Sequence, residues 1–528
     1  MKRRASVLIP IAVTASLALT ACSGASESPG RKMAIDGTFT VAIDQDPGDL
    51  NPLLTTSVTT QTVGLYSYDT LLFQDPKTKV QPFLAESWTE SPTKVTYTLR
   101  DDITCADGTA FTAQTAADNL NWILDPANGS PRLESVVPAN AKVTAKANVL
   151  TVTTPTPRPF MLNDIGAQQL VCEGALENPR SVSSRSDGTG PFIIDDVVAG
   201  ASIKLTRRKD YIWGPHSTTS KTPGLPRAVT IRIVPSPSTR ANLLLAGDLN
   251  AAIVSGSDED RLARLDQQPS PAISGMIVYN HFEGTPTADA AVRTALTQAT
   301  DLDALTQVLT AGKGKRATSL LTEEPSLCTY DTIGSLPAFD PGAAAQTLEA
   351  AGYTKGRGGV YANSDGLLRI TLVYDNSTDT RSAAAEYLAG QWEDLGVQVK
   401  LDGGDENYVI DRAFVTKDPS GWNATLGLNL QSGTPATFPK YLSGPAAPKG
   451  TNFASIHNAQ YEKLSVAAAK RSGEKACDGW AAAENALFAE SDLIPVSVTP
   501  NKMYFSKSLA LYPPVGGLLP GSAIRVLQ

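Results

Sequence analysis

Between Leu367 and Gly403 the chain switches hydrophobic period twice. "LLRITLVYDN" reads as a strand, Asp379–Leu395 as a helix, and "VQVKLDG" as a strand again. Each element has one apolar face to bury, and strands alternating with helices bury those faces on a central sheet. The pattern recurs. "AVTIRIVPSPSTRANLLLAGDLNAAIV" gives strand, helix and strand, and a strand ending at Tyr279-Asn280 precedes helices that begin near Asp289. Asp340 as N-cap, Pro341 at the first helical position and Gly352 past the end punctuate another helix. Farther upstream, Lys94–Arg100 alternates as a strand and Phe111–Leu124 is helical with Thr112 as its cap. The fold class is therefore α/β.

The first thirty residues do not belong to that fold. Lys2, Arg3 and Arg4 precede a short apolar stretch from Val7 to Leu19 that is interrupted by Pro10. A bilayer span needs about 20 apolar residues, so this is a secretory signal rather than a membrane helix. It ends in Leu19-Thr20-Ala21-Cys22, which resembles the lipobox of bacterial lipoproteins. That resemblance implies removal of residues 1–21, lipid on Cys22, and a flexible tether over 22–35. The expected location is the extracytoplasmic face of the cell membrane.

With 528 residues, 41% of them hydrophobic, the chain can bury several cores. Mean hydropathy is −0.12, and no later stretch is apolar enough to span a bilayer. A net charge of −8, with no long basic run, argues against nucleic acid as a partner. The one compact basic cluster, "GKGKR" at 312–316, reads as a solvated helix end and loop.

Beyond Cys22 the cysteines are Cys105, Cys172, Cys328 and Cys477, an even set that favours disulfides outside the cytoplasm. Three pairings remain open. No cysteine stands in a C-x-x-C pair and the three histidines are scattered, so no metal site is expected. The G-x-S-x-G elbow of hydrolases is absent. "SPTK" at 91–94 and "SGEK" at 472–475 match S-x-x-K, but the first leads into a strand and the second has a glycine inside the motif. No catalytic residues and no cofactor are expected.

Nine segments in register carry a resemblance across the mature chain. They are "DLNPL" (49–53), "YDTLL" (68–72), "PFLAESW" (82–88), "CADGTAFTA" (105–113), "GTGPF" (188–192), "RKDYIWG" (208–214), "LLLAGDLNAAIV" (243–254), "AVRTALTQATD" (291–301) and "FDPGAAAQTLEAAGY" (339–353). Together they resemble the extracytoplasmic solute-binding proteins of ABC importers, the peptide/nickel type with oligopeptide- and dipeptide-binding members. The resemblance implies a two-lobe, type II periplasmic-binding-protein-like fold with an additional subdomain on lobe I. Lobe I would take residues 36–275 and 495–528, with the subdomain at about 60–180, and lobe II 276–494. The hinge would lie at Val278–Asn280 and Asp492–Val496. This plan favours Cys105–Cys172 and Cys328–Cys477 as the pairs.

It also implies where a solute would touch. "LGLNLQSGTPATFP" (426–439) resembles the segment in which oligopeptide binders carry an aspartate for the peptide's ammonium group; the matching position here is Gln431, with Asn429 beside it. A glutamine carries no charge, which speaks against the ordinary free-amine anchor. Tyr408 and Trp422 fall near ligand-facing aromatic positions. Val254, Ser255 and Gly256 match a cleft-lining loop, Asn280 ends the hinge strand, and Ser57 follows "DLNPLL". The expected function is capture of a peptide or peptide-like solute by a monomeric, membrane-tethered receptor, with delivery to an ABC permease and its ATPase subunits. The alternatives are a receptor for an oligosaccharide, metal chelate or other metabolite, and an extracytoplasmic hydrolase.

Overall fold

Two long strands, Asp266–Tyr279 and Leu493–Phe505, hold the molecule together by pairing antiparallel from Asp266↔Phe505 to Val278↔Leu493. The computed structural model describes residues 32–55, 57–75, 79–321, 326–415, 418–430, 434–447, 449–471, 473–511 and 519–528. Among these, one sheet has eleven strands. Ten of them are numbered here: β1 (Thr38–Ile43), β2 (Phe192–Val198), β3 (Ser202–Arg207), β4 (Ala228–Ile233), β5 (Ala251–Val254), β6 (Asp266–Tyr279), β7 (Arg369–Asp375), β8 (Gln398–Gly404), β9 (Ala424–Leu426) and β10 (Leu493–Phe505). The order across the sheet is β8-β7-β9-β6-β10-β5-β1-β4-β3-β2, and Lys315–Arg316 adds a short pairing to β10.

The sheet has two wide ends joined by a narrow waist. At one end β10 residues Lys502–Phe505 pair with β5. At the other, β6 residues Ile277–Tyr279 pair with β9. Between them, Ser270–Ser274 pair with Ser497–Asn501, and Lys315–Arg316 pair with Val498 and Ser497. At the waist Ser274 Oγ lies 2.9 Å from Ser497 Oγ and 2.5 Å from Thr499 Oγ1. Gly275 follows with φ +72°, a conformation that costs glycine least, and an added Cβ would lie 2.2 Å from Leu309 Cδ2.

Each end has its own core. On the β7 side the helix Asp379–Leu395 starts at Thr378, whose side chain accepts from Arg381 N–H, and ends at Gly396 with φ +108°. It buries Ala384, Ala385, Leu388, Trp392 and Leu395, a stripe at helical spacing. Trp392 also donates its indole N–H to the Leu296 carbonyl, 3.1 Å away. Truncating so large a buried ring costs about 3–5 kcal/mol. On the β1 side, Phe39, Val41, Leu205, Val229 and Ile231 pack with Ile524 and Val526 from the end of the chain.

A separate four-stranded sheet, Ala85–Ser91, Lys94–Leu99, Val149–Thr153 and Lys142–Lys146, forms the added subdomain with the helix Ala113–Leu124. Thr112 caps that helix in a reciprocal box with Thr115. The "SPTK" stretch is the turn of this sheet's first hairpin, and Ser91 Oγ donates to the Lys94 carbonyl, so it is a turn residue. In "SGEK", Ser472 lies outside the described residues. Disulfides join Cys105 to Cys172 and Cys328 to Cys477.

The basic "GKGKR" stretch differs from its sequence reading as a solvated loop. Lys313 donates to the Gly256 carbonyl at 2.7 Å and lies 3.5 Å from Asp260, while Lys315 and Arg316 pair with Val498 and Ser497. Periodicity shows a helix ending there, but not that the next residues return to the waist of the sheet.

Candidate functional site

The segment after β9 and its neighbours build an aromatic wall on the β7–β9 end of the sheet. Phe414 and Phe453 stack with centroids 4.0 Å apart, Tyr441 meets Phe414 edge-on at 6.3 Å, and Trp422 lies 6.4 Å from Phe453 at 15°. Phe438, Leu428 and Leu430 belong to the same apolar cluster. Aromatic faces and edges paired in this way gain about 0.5–1.5 kcal/mol each beyond simple burial. Within this segment Asn429 Oδ1 is shielded from solvent and accepts no hydrogen bond. A buried amide oxygen left unpaired costs about 1–3 kcal/mol, so an added donor is rewarded here.

The subdomain contributes Phe160 to this cluster. Phe160 comes from the turn before the helix Met161–Gly166, whose own Met161, Leu162 and Ile165 belong to the subdomain core. Phe160 is 0% exposed and sits instead in the cluster of Trp422, Leu428 and Phe438. The two ends of the molecule meet there.

The residues expected from the sequence occupy several distinct settings. Trp422 is 1% exposed and is core. Tyr408 is half-buried and donates its hydroxyl to Asp402 Oδ1 at 2.6 Å, where Arg412 also pairs with Asp402. That hydrogen bond and burial hold the Tyr408 hydroxyl above the ordinary tyrosine range. Asn280 is buried and fully engaged: Nδ2 donates to the Pro419 and Trp422 carbonyls, and Oδ1 accepts from Phe282 N–H. Ser57 caps the helix Val58–Gly64, accepting from Thr60 N–H. Val254 is a buried strand residue, Ser255 is half-buried, and exposed Gly256 turns with φ +83°. Asn429, between Leu428 and Leu430, is the one of them whose amide oxygen is buried without a partner. Gln431 and Cys22 lie outside the described residues.

Phe160, Phe414, Tyr441 and Phe453 escaped the sequence reading. Phe438 and Tyr441, three apart in "TFPKYL", offered a helical-spacing signal; Phe160 offered none, because its partners lie hundreds of residues away.

Just behind the wall, a buried charge network fixes the start of β10. Asp492 Oδ1 lies 3.3 Å from an Arg293 guanidinium nitrogen and 3.6 Å from His281 Nε2, and Oδ2 accepts from Asn458 Nδ2 at 2.8 Å. Burial pushes the Asp492 carboxyl up to about 6, although Asn458 and Arg293 oppose the shift. Burial first, and then Arg293, hold the His281 imidazole far below its usual range. Among the described residues no group of three His, Cys, Asp or Glu side chains could hold a metal ion.

Cavities of about 290 and 250 Å³ flank the helix Val58–Gly64 at the β1 end and are lined by Val58 and Thr62 on either side. Pro520 and Leu519 in their walls follow 512–518, which lie outside the described residues, so neither cavity is assigned a ligand. No helix among the described residues is long and apolar enough to cross a membrane.

Known proteins match this architecture along most of its length. The nickel-binding periplasmic protein of Escherichia coli K12 is 28% identical over 405 residues, 71% of this chain and 72% of the relative. The glutathione-binding protein GsiB of the same strain is 26% identical over 513 residues, 90% of each chain. Among solved structures, a substrate-binding protein from Microbacterium hydrocarbonoxydans complexed with 4-hydroxybenzoate hydrazide superposes with a TM-score of 0.74 at 25% identity, covering 93% of this chain and all of that one. The Bacillus subtilis oligopeptide-binding protein AppA shares the fold, with a TM-score of 0.74 at 20% identity over 94% of this chain and all of its own. The model of the bacterial extracellular solute-binding proteins, family 5, matches residues 79–450. The chain belongs to that family, with its two-lobe α/β fold of type II, and is the solute-binding protein of an ABC importer.

Proposed function

We propose that this chain is a lipid-tethered receptor that captures a small peptide-like solute between its two ends and hands it to the importer without altering it. The unfilled Asn429 Oδ1, on the residue between Leu428 and Leu430 of the aromatic cluster, carries the reading. Solute sites of this kind combine aromatic faces with a few aimed polar groups, and an amide N–H of a peptide-like solute supplies the missing donor. GsiB, named for glutathione, a short peptide with amide N–H groups, supports the same solute class. Closure would bend the waist of the sheet at 270–275 and 496–501, a few residues from the positions the resemblance implied; a two-strand crossing is where a few residues can absorb the change.

Native mass spectrometry of freshly purified protein tests the reading directly. A retained solute with amide groups is expected, and its affinity should fall at least tenfold in Asn429→Ala. An amide-free solute, or one bound equally by the variant, moves the site elsewhere. Calorimetry with a short peptide and its N-acetylated form tests Gln431. Wild type should bind the blocked form at least as well, because a desolvated ammonium finds no fixed carboxylate at that position. A tenfold preference for the free amine that Gln431→Asp does not increase removes Gln431 from the anchor.

The tether is tested by mass spectrometry of the membrane-extracted protein, which should begin at a lipid-modified Cys22. A soluble mature protein with an unmodified thiol there excludes it. Stoichiometric labelling of a single serine by a serine-reactive probe would favour a hydrolase instead. A second solute class, an aromatic non-peptide, is favoured by the hydrazide complex of the Microbacterium relative and by the stacked Phe414 and Phe453.

A further inference from the structure

We infer that Phe160 is a built-in latch that holds the two ends together before any solute arrives, and so sets how readily the receptor closes. The inference rests on solute capture between the lobes. Three observations carry it. Phe160 is fully buried, yet it belongs to the cluster that holds Trp422, Leu428 and Phe438 rather than to the subdomain core of Met161, Leu162 and Ile165. Its backbone has φ +64° and ψ 10°, a left-handed conformation that β-carbon sterics disfavour outside glycine. That turn reverses the chain just before the helix, so successive residues face two different cores.

The turn is also held from the subdomain side. Arg158 N–H donates to the Pro92 carbonyl at 2.7 Å, and its guanidinium donates to the Glu134 carbonyl at 2.6 Å. The Phe160 carbonyl accepts from both Asn163 and Asp164 N–H groups. Strained residues persist where surrounding structure over-determines them, and they concentrate where the strain is used. Here the strain aims one ring out of its own core. Lys313, which donates to the Gly256 carbonyl beside the waist, is a second and polar tie in the same direction. A side chain that favours the closed state raises the closed fraction of free protein, and through it the apparent affinity for any solute that binds that state.

The test needs no solute, so its outcome is separate from that of the receptor reading. Donor and acceptor dyes, introduced through non-canonical amino acids at exposed Val198 and Val466, report the separation of the two ends by single-molecule energy transfer. Wild type should be mainly in the short-distance state. Phe160→Ala should lower the ratio of short- to long-distance molecules at least tenfold, with Phe160→Leu between the two. Leu487→Ala truncates a buried member of the same cluster from its own side and should leave the ratio within threefold of wild type. Phe160→Ala or Phe160→Leu at the wild-type ratio, or Leu487→Ala opening the protein as much as Phe160→Ala, overturns the latch. Circular dichroism and thermal melting identify any variant that has lost its fold, and Phe160→Leu then decides alone.

Discussion

Asn280 and Asn429 are two asparagines near the same end of the sheet, and they are treated in opposite ways. The Asn280 side chain has a partner for each of its polar atoms. It reaches the Pro419 and Trp422 carbonyls and Phe282 N–H, while Thr285 and Thr287 donate to the residue's own carbonyl. Around Asn429, in the segment leading to Phe438, the amide oxygen is buried and unanswered. A complete set of partners fixes a shape. A missing partner leaves free energy to be gained from something that is not part of the chain. The same residue type thus marks a rigid corner in one place and a receptive wall in the other.

The contrast can be tested by substitution. Asn280→Ala removes the donors to the buried Trp422 carbonyl and the part-buried Pro419 carbonyl and the acceptor of Phe282 N–H, and should cost about 3–4 kcal/mol in chemical denaturation. A loss under about 1 kcal/mol would mean the corner is not what holds the hinge strand's end.

Glu484 is the carboxylate counterpart of Asn280. It is buried, accepts from Leu320 N–H and from the Thr332 and Tyr330 hydroxyls, and burial pushes its carboxyl up to about 7. Because the folded value lies above the unfolded one, its stabilising contribution is present below about pH 4.5 and lost as pH rises through about 7. Glu484→Gln should therefore reduce the fall in stability between pH 5 and 8 by roughly 2–3 kcal/mol. An unchanged pH profile would place the titration elsewhere.

At the waist, Gly275→Ala should cost about 1–2 kcal/mol, from the left-handed backbone and the crowding of Leu309. Differential scanning calorimetry would register it as a lower Tm, and an unchanged Tm would show that the waist adjusts freely. The smallest effect belongs to Asn429→Ala, which removes an unpaired acceptor and should leave stability within about 1 kcal/mol. A larger loss would return Asn429 to the rigid class and end the contrast.

Elements defined by short-range rules were legible in the sequence. The helix Asp379–Leu395, the Thr112 cap and the Asp340 cap all depend on residues within one or two turns. The strand ending at Tyr279 was legible as a strand too. Its pairing with β10 was not, because Ser274 and Ser497 are 223 residues apart and period alone carries no address. The same limit governs the site. Trp422 reads equally as a ligand platform or as core until Phe453 is found against its face. Ser57 and Asn280 are polar loop residues in sequence, and only their hydrogen-bond partners reveal a helix cap and a corner. Phe160 sits next to three subdomain core residues and shows no local sign of facing away from them.

The position of β10 also bears on the order in which the protein can form. This strand is the hydrogen-bonded neighbour of β5 in one end and of β6 throughout, yet it comes only at residues 493–505. A chain appearing N-terminus first makes β1, β4 and β5 early but finds no partner for the free edge of β5 until hundreds of residues later. Long-range strand pairing of this kind is intrinsically slow. The edge of β5 therefore stays unpaired until residues 493–505 have emerged, and one late strand then joins both ends of the sheet.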